Sequence, residues 1–127
     1  MAENKEYFTQ EMDNGSIQIS EDVVASVVAM AVLEVEGVCG LSSTIGTDIA
    51  EMLGMKTLSK GVRLSNTEAG ALRVDCDVVS KFGQNIFELA RNVQENVKSS
   101  VESVTGLTVG EVNVTVCGIA LPKETRK

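Results

Sequence analysis

Between Ile86 and Val104 the residues Ile86, Ala90, Val93, Val97, Val101 and Val104 recur at spacings of three and four, with Leu89 beside them. Only a helix brings residues at those spacings onto one face, so this segment must pack its stripe against another layer. On either side the period changes to two. In ALRVDCDVVS, Leu72, Val74, Cys76 and Val78 alternate with Arg73, Asp75, Asp77 and Val79, and in EVNVTVCG, Val112, Val114 and Val116 alternate with Asn113, Thr115 and Cys117. Both runs predict strands with one apolar and one wet face. A helix framed by half-buried strands restricts the chain to a layered α+β architecture.

The remaining segments fit that architecture. GSIQIS predicts a short strand, with Ile17 and Ile19 on one side and Gln18 on the other. Ser20 then offers an N-cap, with Glu21 and Asp22 in the first turn, where a helix dipole favours negative charge. The helix runs to about Glu36 and stops at Gly37. It is apolar around most of its circumference: Val24, Val28, Ala31 and Val35 form one row, and Val23, Val27, Met30 and Leu33 lie beside it. Burial on more than one side is expected. Glu34 and Glu36 in its last turn oppose the dipole, a locally broken rule that either marks a functional position or leaves two hydrated side chains. In GVRLSN, Val62 and Leu64 alternate with Arg63 and Ser65, and NTEAG supplies a turn into the next strand.

The elements follow the order β-α-β-β-α-β if the segments around Val38 and Val62 form one interrupted strand. That is the split βαβ arrangement: a two-layer sandwich with both helices on one face of a four-stranded, mainly antiparallel sheet. The opposite face would carry Gln18, Arg63, Arg73, Asp75, Asp77, Asn113 and Thr115. Residues 1–14, polar and charged with only Tyr7 and Phe8 as anchors, read as a flexible tail, residues 15–120 as a single domain, and residues 121–127 as a second tail.

Charge and composition narrow the functions. The 127 residues suit one domain, and in a chain with 43% hydrophobic but only 3% aromatic residues the core is aliphatic. A net charge of −7 argues against nucleic acid as a partner, because phosphate-backbone binders need clustered Lys and Arg. Residues 1–36 hold eight acids and the single base Lys5, whereas residues 52–67 hold Lys56, Lys60 and Arg63 and no acid. Three cysteines at wide spacing and no histidine give neither a zinc site nor a disulfide framework, so no metal and no cofactor is expected. The N-terminus lacks the pattern of a secretory signal, and the apolar run Val23 to Leu33 is too short to span a membrane. A cytoplasmic location is expected.

Without histidine, catalysis would need carboxylates, Lys, Cys or a metal. Asp75 and Asp77 project from the same strand face about 7 Å apart, a tolerable separation for acid and base work, but on a flat face beside Arg73 they read as a solvated surface. The glycines at 37, 40, 46, 54 and 61 match neither a Walker loop nor a dinucleotide turn. The strands lack the aromatic residues that stack RNA bases. No catalytic residue is assigned.

The interruption between the two halves of the second strand is the most informative stretch. In TDIAEMLG, Asp48 and Glu51 have capping-box spacing, Ile49, Met52 and Leu53 form an apolar face, and Gly54 closes the turn. Met55, Lys56, Leu58 and Lys60 follow. Flexible Met and Leu flanked by Lys make Ile49, Met52, Leu53, Met55, Lys56, Leu58 and Lys60 candidates for partner docking, and the alternative is a short helix that caps one end of the core.

Taken in order, GSIQIS, EVEGVCGL, KGVRL, LRVDCDVVSKFGQNI, ENVKSSVESVTGL and VGEVNVTVCGI resemble the alkaline shock protein family of Gram-positive bacteria, also called the general or envelope stress response family. The resemblance covers about residues 15 to 120. It implies a small cytoplasmic protein associated with cell-envelope stress, without catalytic residues to carry over. Some members are held at the membrane by a separate anchor protein, some self-associate, and others are tied to lipid metabolism. Two functions therefore compete. One is a non-enzymatic scaffold that forms homo-oligomers and docks to a membrane anchor or other protein. The other is a sensor of a small anionic ligand, or a regulator of lipid or envelope metabolism, with the interruption as a lid over Lys56, Lys60 and Arg63.

Overall fold

The computed structural model describes residues 7–41, 61–67 and 70–121. Among them are strands β1 (Tyr7–Met12) and β2 (Gly15–Ser20), helix α1 (Glu21–Glu34), strands β3 (Val38–Leu41), β4 (Val62–Asn66) and β5 (Leu72–Lys81), helix α2 (Ile86–Thr105) and strand β6 (Val109–Ala120). The α+β class holds, with both helices packed on the sheet and on each other.

β5 is the centre of the main sheet. β3 pairs antiparallel with its end, Val38 opposite Ser80 and Leu41 opposite Val78, while β4 pairs antiparallel with its beginning, Val62 opposite Cys76 and Asn66 opposite Leu72. The interrupted second strand is therefore real, its two halves lying along successive stretches of one neighbour. β6 pairs parallel with β5 over its whole length, from Leu72 opposite Val109 to Lys81 opposite Ala120.

That last pairing corrects the split βαβ expectation. No strand is inserted between β5 and β6, so β5, α2 and β6 form an unsplit parallel unit, while β2 pairs with β1 in a separate two-stranded sheet. β2 has too little apolar surface for a central position: Ile17 is exposed, and Ile19 alone of its two isoleucines packs on the core. Gln18 consequently lies in this hairpin, away from the main sheet.

Tyr7–Met12, expected as tail, is ordered by its backbone. It pairs with β2 residue for residue from Tyr7 opposite Ser20 to Met12 opposite Gly15, across a turn at Asp13 and Asn14. Phe8 faces Ile19 across the hairpin, and both pack against the core. The Gln10 side-chain amide donates to the Gly106 carbonyl at 2.9 Å, tying the hairpin to the end of α2.

α1 starts as expected, the Ser20 hydroxyl accepting from the Val23 amide at 3.2 Å, and ends at Glu34, two residues early. Val24, Ala25, Val28, Ala29, Ala31 and Val32 are buried, a wide arc, but Val23 and Met30 are exposed. α2 is capped by the Asn85 side chain, which accepts from the Glu88 amide at 3.0 Å, and ends at Gly106 with φ +77°. It buries Leu89, Val93, Val97 and Val101, whereas Val104, the last residue of the predicted stripe, is 67% exposed. The core lies between the helices and the β5 row Leu72, Val74, Cys76, Val78. Each valine fully buried there is worth about 1.5–3 kcal/mol relative to exposure.

Candidate functional site

The register of β4, β5 and β6 gathers the predicted sheet-face residues on the side opposite the helices. Arg63, Asp75 and Asn113 lie in one cross-strand row, Ser65, Arg73 and Glu111 in the next, and Asp77 beside Thr115 in a third. Their polar groups engage one another. Arg63 holds Asp77 through two nitrogens at 3.0 and 3.3 Å, Arg73 donates to Glu111 at 2.9 Å, and the Asn113 amide donates to Asp75 at 2.9 Å. The hydrogen bond and charge of Asp77 raise the pKa of Arg63 above its already high ordinary value. The face is thus largely neutralised from within. Asp75 spends one oxygen on Asn113 and Asp77 both of its oxygens on Arg63, an arrangement that ties up the two carboxylates on the surface. Glu111 is the member that sequence reading missed; it occupies the outward row of the β6 alternation, but only the register reveals it as the partner of Arg73.

The docking candidates Ile49, Met52, Leu53, Met55, Lys56, Leu58 and Lys60 lie outside the described residues. Among the described residues no group of three Cys, Asp or Glu side chains is placed to hold a metal ion. Cys39 and Cys117 are exposed and Cys76 is buried. Burial, reinforced by Asp77 and Asp75, pushes the Cys76 thiol up to about 12, which keeps it protonated and unreactive.

Two apolar surfaces emerge that sequence reading did not locate. Between α1 and α2 an open groove of about 310 Å³ is floored by Val27, Met30, Ala31 and Val104, with Ser26, Ser100 and Glu34 at its margins. The available signal was the apolar circumference of α1, which exceeds what one core face can cover. At the far end of the sheet Phe82, Phe87, Ile119 and Leu121 are all more than half exposed.

β6 forms one edge of the main sheet through its pairing with β5. Among the described residues no strand pairs with its outer side. Its beginning is covered by α2 side chains: Glu102 accepts from the Val109 amide at 3.0 Å, Lys98 donates to the Val109 carbonyl at 3.1 Å, and Gln94 donates to the Val112 carbonyl at 3.0 Å. Beyond Val112 the strand reads NVTVCGIA, without a charged residue. Lys or Pro on such an edge would discourage pairing with another chain; neither is present here.

The family model for the alkaline shock protein family, cell envelope-related function, matches residues 9–121. The chain is 37% identical over 113 residues to the protein Spy1614 of Streptococcus pyogenes, covering 87% of this chain and 93% of that one. It is 34% identical over 107 residues to YloU of Bacillus subtilis, covering 83% and 88%, and 30% identical over 105 residues to YqhY of the same organism, covering 83% and 77%. No solved structure matches. No helix among the described residues is long and apolar enough to cross a membrane. The match begins within β1 and continues one residue past β6, over most of the sequence: the chain belongs to the alkaline shock protein family.

Proposed function

We propose that this protein is a non-enzymatic scaffold of the cell-envelope stress response, working in the cytoplasm by self-association and by docking to a membrane-anchor or other protein partner. The family's envelope-related character supports the setting. The observation that carries the self-association is the edge of β6: an uncharged run from Asn113 to Ala120, with whose outer side no strand pairs among the described residues, ending near the exposed Phe82, Ile119 and Leu121. In a chain of net charge −7 such a run is where a second copy can approach without meeting like charge. Lipid or anionic-ligand sensing has less support, because Arg63, one of its three cations, is already held by Asp77.

Sedimentation velocity over a wide concentration range tests the reading. Reversible assembly is expected, and Ile119→Lys, at a half-exposed position, weakens it while leaving the fold intact. A strict monomer at every concentration overturns self-association. For docking, Leu53→Glu in the sequence-defined patch is expected to reduce capture of an anchor protein, and unchanged capture removes that patch.

A further inference from the structure

The α1–α2 groove and the carboxylates at its end form one continuous surface. Glu34 borders the apolar groove and also lines an adjoining open cleft of about 410 Å³ with Val35, Glu36, Asn92, Glu95 and Asn96. From Val23 to Glu34 the helix rises about 16 Å, the length of roughly three turns of a second helix. Along that path lie Val23, 49% exposed, Met30, 45% exposed, and Val104, 67% exposed.

The charges along this surface are one-sided. α1 has Glu21 and Asp22 in its first turn and no basic residue in its last, where Glu34, and Glu36 just beyond, oppose the dipole. Among the described residues Glu34 receives one long hydrogen bond, 3.4 Å, from Asn96, whose amide chiefly serves the Ala31 carbonyl at 2.7 Å. Among the same residues neither Glu34 nor Glu36 has an ion pair. Among them Glu95 has only the exposed Arg91 at 4.0 Å. Among the described residues, therefore, the surface combines an uncovered apolar floor with largely uncompensated negative charge at one end.

Those features select among occupants. An anionic lipid surface is repelled by Glu34, Glu36 and Glu95, and a second copy presenting the same acidic face meets like charge. A helix with an apolar stripe and Lys or Arg at one end satisfies both parts of the surface, and it supplies the cation that the end of α1 lacks.

We propose that the α1–α2 groove receives the apolar face of a basic amphipathic helix from another protein, with the partner's Lys or Arg set against Glu34, Glu36 and Glu95. This rests on the docking half of the proposed function and specifies the chemistry of the partner.

The test uses the full chain and a fluorescein-labelled synthetic helix of Leu and Lys in amphipathic register, with a Leu and Glu counterpart as control, followed by anisotropy. Saturable binding of the Leu/Lys helix to the wild type is expected, and none of the Leu/Glu helix. Met30→Glu adds an acid to the surface and removes part of its floor. It is expected to weaken binding by about tenfold or more, because a buried anchor is lost. The double substitution Glu34→Lys with Glu36→Lys weakens it as well. Circular dichroism checks that these exposed-site variants fold.

No binding by the wild type overturns the proposal. Unchanged or tighter binding by Met30→Glu also overturns it, since attraction to net negative charge would then suffice; docking elsewhere on the protein would survive that result. If Met30→Glu instead dissolves the wild-type assembly in sedimentation, or abolishes flotation with phosphatidylglycerol vesicles, the groove belongs to a second copy or to the membrane. Either result overturns the proposal, while the β6-edge reading is judged separately by Ile119→Lys.

Discussion

Arg63 on β4 grips Asp77 on β5 through both terminal nitrogens, Nη1 to Oδ2 at 3.0 Å and Nη2 to Oδ1 at 3.3 Å, two residues diagonally from its direct neighbour Asp75. The side chains are 58% and 27% exposed, so solvent screens much of the attraction despite the good geometry. Arg63→Ala is therefore expected to cost no more than about 1 kcal/mol, and less at high salt. Urea unfolding at two ionic strengths checks this. A loss several times larger, or one insensitive to salt, would mean that the pair organises the whole polar face.

Gly37 leads from α1 into β3 with φ +96°, a conformation that side chains disfavour. A Cβ there would lie 2.6 Å from the Gln84 side chain and 2.8 Å from Cδ1 of buried Leu89. Gln84 is exposed and can swing away, but Leu89 is held in the core. Gly37→Ala should lower stability by about 1–3 kcal/mol, combining backbone strain with displacement of Leu89. Gly83, with φ +94° and open space around it, isolates the backbone part. Equal losses in the two alanine variants would show that the contact with Leu89 is immaterial.

The three cysteines should separate by reactivity. Cys39 and Cys117 are exposed, whereas Cys76 is enclosed under the helices with its thiol pushed up to about 12 by burial and by Asp77 and Asp75. In the folded protein at neutral pH a thiol reagent should modify two residues and reach the third only on unfolding. Mass spectrometry after partial labelling identifies them. Prompt labelling of Cys76 would place the opening of the β5 core far below global unfolding in free energy.

How much of this fold the sequence revealed depends on how local each determinant is. The β5 alternation was readable because Leu72, Val74, Cys76 and Val78 face the helices while Arg73, Asp75 and Asp77 face water, a contrast contained within one strand. The Ser20 N-cap and the interrupted second strand were readable for the same reason, whereas the Asn85 cap of α2 emerged only in the structure. β1 was not, since its order comes from backbone pairing and a single Phe8 to Ile19 contact, and nothing in YFTQEM requires a partner. Parallel pairing of β6 with β5 was equally hidden: the same alternation would serve with or without a strand between them. Val104 misled because a stripe at the right spacing continues past the point where α1 can cover it. Most of the polar face was placed correctly, Gln18 and Glu111 excepted, but its internal pairing depends on register, and the apolar groove exists only once two helices are set side by side.

Glu102 joins α2 to the start of β6, accepting from the Val109 amide at 3.0 Å and from the Lys98 ammonium at 3.1 Å. The backbone hydrogen bond first, then Lys98, holds its carboxyl below the ordinary value of 4.5. A carboxylate depressed in the folded state contributes stability that is fully present above its unfolded value and is lost as pH falls through the folded value. Glu102→Gln keeps an acceptor oxygen but not the charge, so the wild type should be the more stable at neutral pH. That advantage should shrink as the pH drops below the ordinary carboxylate value and vanish once Glu102 is protonated. Urea unfolding of both proteins across the acid range measures it. A difference that stays constant with pH would assign the effect to packing of the side chain. The same substitution loosens the cover over the first part of the β6 edge, so stronger self-association of Glu102→Gln at neutral pH, seen by sedimentation, would show that this cover limits pairing along the strand.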